Sequence, residues 1–92
     1  MSEYIEIEAE MSDDPAVIIF YTNLTLAEEG VEEYDSVEAM EEGSPVAQAL
    51  AYVEGICHLR LDDREMTVTR DLEAPQHIIV AEVSAALKDF FL

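Results

Sequence analysis

Residues Ser44 to Arg70, SPVAQALAYVEGICHLRLDDREMTVTR, restrict the fold more than any other part of the chain. Ser44 can cap a helix, and Pro45 suits its first position, where the missing N–H would have had no partner. Val46, Ala49, Leu50 and Val53 then fall on one helical face, and Gly55 can take the left-handed stop. Ile56 opens an alternating run in which Cys57, Leu59 and Leu61 point one way and His58 and Arg60 the other. Asp62-Asp63-Arg64-Glu65 reads as a turn, after which Met66 and Val68 resume the apolar period. A tight turn places Leu61 opposite Met66 and Leu59 opposite Val68, so both strands offer the same face to the helix.

The flanking segments extend this pattern. Tyr4 to Glu8 alternates with Ile5 and Ile7 inward, and Ser12-Asp13-Asp14-Pro15 is a turn. Ala16 to Thr22 is β-prone and apolar on both faces, which suits a central strand or one whose outer face is covered. Its register stays open between Ile18/Phe20 and Val17/Ile19 outward. Asn23 to Gly43 scatters Leu24, Leu26, Val31, Tyr34, Val37 and Met40 among eight acidic residues. We read it mainly as a long acidic loop, with a helical turn over 36–42 or a short edge strand over 34–37 as alternatives. After a connector ending at Pro75, Ile79, Val83, Ala86 or Leu87, and Phe90 follow helical spacing to the C-terminus, with Ile78 and Phe91 flanking the same stripe. The expected fold is α+β: a single domain over 1–92, a two-layer sandwich with a four-stranded antiparallel sheet and two helices on one face, in the order β-β-α-β-β-α.

Charge narrows the function classes. The net charge is −18, and fourteen of the 22 carboxylates lie in the first 44 residues, which hold no Lys or Arg. Such a field repels nucleic acid and anionic membranes and attracts basic partners or cations. Adaptation to high internal salt accounts for it equally well. No apolar run approaches the ~20 residues of a membrane span, the N-terminus lacks signal-peptide features, and one cysteine cannot form an internal disulfide. A cytoplasmic protein, monomeric or weakly homodimeric, is expected.

Gly55-Ile56, a strand, an acidic turn and Met66-Thr67-Val68-Thr69-Arg70 resemble the N-terminal domain of the Nfu/NifU-type iron–sulfur scaffold proteins. That family shows G-V, a strand, an acidic turn and I-T-V-T-K there. Gly43-Ser44-Pro45-Val46-Ala47 is similar to the S-P-L-A opening the family's first helix, and Leu87-Lys88-Asp89-Phe90-Phe91 resembles its closing helix. Ser12 to Phe20 is similar to its T-P-N-P-N-x-L-K-F. Aromatics are common in the family where Arg60 and Glu65 stand here. The resemblance implies the same α+β fold and a non-catalytic accessory role in iron–sulfur cluster assembly or transfer, by docking on scaffold or client proteins. The family carries its cluster-binding cysteines as C-x-x-C in a separate C-terminal domain. With one cysteine in 92 residues, this chain is expected to bind no cofactor itself and to meet an iron–sulfur cluster only through a partner.

The candidate residues follow from these patterns. Cys57 is expected on the core face as a small apolar residue. Cys57 and His58 are the metal-ligand candidates, although neighbours on a strand point to opposite faces. His77 has no helix-spaced ligand partner. Asp13 and Asp14 read as turn residues. The partner-binding candidates are His58 and Arg60 with Phe20 (or Ile18) and Tyr4 on the uncovered sheet face, beside Thr67 and Thr69. The alternative function is a general acidic module that recognises a basic partner through Glu28, Glu29, Glu32 and Glu33. No nucleophile triad, phosphate loop or framed carboxylate pair occurs, so no enzymatic activity is expected.

Overall fold

The computed structural model describes residues 5–27 and 30–91. Eight elements follow one another: β1 (Ile7–Met11), β2 (Val17–Thr22), β3 (Val31–Tyr34), α1 (Val37–Glu41), α2 (Pro45–Leu50), β4 (Ile56–Asp62), β5 (Glu65–Arg70) and α3 (Gln76–Phe91). The strands form one antiparallel sheet in the order β1-β2-β5-β4-β3. Ile18, Phe20, Leu59, Leu61, Met66 and Val68 from the sheet are buried in one cluster with Met40, Leu50, Ile79, Val83 and Leu87 from the helices. The fold is therefore α+β with its helices on one sheet face, as expected.

Local chemistry explains the elements around the first helix. Ala47 N–H donates to the Ser44 hydroxyl, Pro45 occupies the first turn, and Gly55 takes φ +98°. A side chain at Gly55 would also strike Ala74 Cβ and Ile79 Cδ1, at 2.7 and 2.8 Å. The β4–β5 hairpin has the expected register, Leu61 opposite Met66 and Leu59 opposite Val68, with Asp63 at φ 52° in the turn. At the first turn, Asp14 N–H donates to the Ser12 hydroxyl and Ala16 N–H to the Asp14 carboxylate.

Four expectations need correction. The sheet has five strands, not four, because the stretch expected as a long acidic loop holds β3 and α1. β3 pairs with β4 along its full length. Its Tyr34 ring leans on the core while its remaining residues suit an exposed edge, where charge discourages further pairing. Ser36 caps α1 by accepting the Ala39 N–H. Second, a bulge between Ile56 and His58 shifts the register of β4. Ile56, Leu59 and Leu61 are buried, and Cys57 is exposed rather than in the core. Third, Phe20 is wholly buried, so it is a core residue and not a partner contact. Fourth, α3 buries Ile79, Val83 and Leu87 as expected, but Phe90 lies exposed, edge to face against Phe91, which packs on the core in its place.

Candidate functional site: the open face of the sheet

Side chains alternate across a strand, so burying Ile18, Phe20, Leu59, Leu61, Met66 and Val68 sends their neighbours to the other face. Among the described residues no helix covers that face. One row of partners crosses the whole sheet there: Glu10, Ile19, Thr67, Arg60 and Glu33. A second runs from Glu8 through Tyr21, Glu65 and Asp62 to Val31. Val17 and Thr69 lie beside them, with Thr69 opposite His58. Val17, Ile19 and Tyr21 thus form an apolar stripe on β2, flanked by threonines on β5 and bounded by carboxylates on both sheet edges.

The charges on this face are arranged at the β3–β4 side. Glu33 stands directly opposite Arg60, yet its carboxylate meets the His58 Nε2 at 2.9 Å. Asp35 approaches the same nitrogen at 3.3 Å, and Arg60 lies 4.0 Å from Asp62. On β2, desolvation against the sheet, joined by the Glu10 and Glu65 carboxylates, raises the Tyr21 phenol above its ordinary value. Each cause opposes a phenolate.

The residues expected from sequence are distributed over both faces. His58, Arg60 and Glu33 come together on the open face. Glu32 lies on the helix side, where it accepts a hydrogen bond from the Tyr34 hydroxyl at 2.6 Å and borders a cleft of about 340 Å³ with Leu26, Val46 and Phe91. Tyr4, Glu28 and Glu29 lie outside the described residues. Cys57 is not among the atoms that converge with His58; Glu33 and Asp35 are. Val17 and Ile19 stood only as the alternative outward pair, and Tyr21 and Asp35 were not singled out. The signal for the first three was the doubly apolar run Ala16 to Thr22, whose outward set only the pairing with β5 decides.

A family profile described as "Scaffold protein Nfu/NifU N terminal" matches residues 7–92. The chain belongs to this family. Two solved structures have the Nfu/NifU N-terminal fold seen here. A NifU-like protein from Saccharomyces cerevisiae, solved by NMR in solution, is 18% identical with a TM-score of 0.78, covering 97% of this chain and 82% of that one. The crystal structure of protein SAV1430 from Staphylococcus aureus is 15% identical with a TM-score of 0.71, covering 89% of this chain and 98% of that one. No curated protein sequence matches the chain significantly.

Proposed function

We propose that this Nfu/NifU N-terminal domain acts by contact in iron–sulfur cluster assembly or transfer, docking on a scaffold or client protein through the open face of its sheet. Membership of the family supports the pathway. The observation that carries the mode of action is the uncovered Val17–Ile19–Tyr21 stripe bounded by carboxylates. An apolar strip with a charged border is the anatomy of a protein contact, dry in the middle and polar at the rim. The acid border steers a partner whose matching face is basic.

The role is non-catalytic on this reading. Among the described residues no polar or charged side chain is buried in the core, so the layer between sheet and helices supplies no desolvated acid, base or nucleophile. A [4Fe–4S] cluster takes about four thiolates, and the 92 residues supply Cys57 alone. The cluster is then cargo held by the partner.

Isolation of the tagged chain from its own cells at native salt, followed by identification of the retained proteins and iron analysis, tests the proposal. Iron–sulfur scaffolds or clients should be retained by the native chain and lost with Tyr21→Ser or Arg60→Glu, while circular dichroism stays unchanged. Retention unaffected by both substitutions, or retained proteins without iron–sulfur chemistry, overturns it.

A further inference from the structure

We propose that Glu33, Asp35 and His58 form a binding site for one divalent first-row transition-metal ion. This inference does not rest on the docking role; it follows from three side chains at the β3–β4 edge. Glu33 and Asp35 are two residues apart, the spacing that sends both side chains to one face of an extended chain. On β4 the buried Leu59 and Leu61 send the residues between and before them, Arg60 and His58, to that same face, and the bulge at Cys57 alters only the residues ahead of His58.

One ligand atom from each residue lies within 4.8 Å of the other two, with Nε2 of His58 at 2.9 Å from Glu33 Oε2 and 3.3 Å from Asp35 Oδ1. Metal–ligand bonds of ~2.1 Å in tetrahedral geometry put ligand atoms about 3.4 Å apart. The three atoms therefore need only small rotamer adjustments to close on an ion. Two carboxylates held this near each other repel, and a single imidazole N–H can satisfy one of them. The neighbouring guanidinium does not resolve this, since Arg60 lies against Asp62 instead. A cation among the three removes the repulsion.

The donor set chooses the ion. One imidazole nitrogen with two carboxylate oxygens suits zinc, manganese or ferrous iron, whereas magnesium and calcium prefer oxygen alone. Glu33 and His58 are held on two strands joined by backbone hydrogen bonds and Asp35 follows the last residue of β3, with His58 half-buried and both carboxylates exposed, so water completes the coordination.

Calorimetric titration of the tag-free full chain with zinc, in the presence of millimolar magnesium, tests the site, with amide NMR shifts as the map. One ion per chain should bind, shifting signals around residues 33–35 and 58. Affinity should fall at least tenfold in His58→Gln and in Asp35→Asn, and be unchanged in Cys57→Ser. Four results overturn the site: no binding, competition by magnesium, binding that survives His58→Gln, or binding lost with Cys57→Ser. Circular dichroism of each variant separates lost ligands from lost fold.

Discussion

The Tyr34 hydroxyl accepts a hydrogen bond from the Ser44 backbone N–H at 3.2 Å, tying edge strand β3 to the cap of α2. The same oxygen donates to Glu32, and the ring fills the space that a side chain on Gly43 would need. Tyr34→Phe keeps the ring and removes the oxygen. It should lower stability by about 0.5–1.5 kcal/mol, read from the midpoint of urea unfolding. An unchanged midpoint would mean that water replaces the oxygen without loss.

Gly55 should tolerate no side chain. With φ at +98° and Ala74 and Ile79 in the way, Gly55→Ala meets both backbone strain and a clash. A loss of about 1–3 kcal/mol is expected, which for a domain of this size lowers the melting temperature by several degrees. Gly30 gives the contrast. Its φ is +89° but nothing among the described residues lies within 4 Å of an added Cβ, so Gly30→Ala should cost less.

Phe20 and Cys57 should behave in opposite ways. Phe20→Ala empties a fully buried position and should cost about 3–5 kcal/mol. Cys57→Ser changes an exposed bulge residue and should move stability by less than about 0.5 kcal/mol. A large loss for Cys57→Ser in thermal melts would contradict the bulge.

Tyr21 links stability to alkaline pH. Its folded-state value is raised, so the native chain keeps the phenolic proton where the unfolded chain has already lost it. Stability from this group is full below the ordinary tyrosine value near ~10 and falls as pH rises through the folded value. Ultraviolet phenolate titration should show its ionisation later than that of a free tyrosine. Glu10→Gln should bring it earlier.

What was legible in the sequence was local. Ser44, Pro45 and Gly55 announce their helix through backbone requirements that hold in any context, and the alternation around the Asp63 turn sets its own register. β3 was not legible, because four residues with two glutamates carry little strand preference until β4 lies alongside. The bulge was hidden for a similar reason: a strict period of two puts Cys57 inward and Ile56 outward. Burying the larger Ile56 together with Leu59 and Leu61 takes one extra residue between them. Of the open face, His58 and Arg60 were found through the alternation of β4, and Glu33 only as one carboxylate of the acidic segment, not as part of a sheet. Asp35 was missed because its proximity to His58 exists only across the strand pair.

The pairing of β2 with β5 sets a schedule for the chain during synthesis. Ile18 lies opposite Val68, fifty residues later, and a two-stranded hairpin alone in water is marginal at best. Until the C-terminal third has left the ribosome, the β1–β2 ribbon has neither its inner neighbour β5 nor the long helix α3. Closing so long a loop before any contact rewards it slows folding. The dense carboxylates of the first 44 residues would then serve the nascent chain as well, keeping an unfinished apolar ribbon dispersed while it waits.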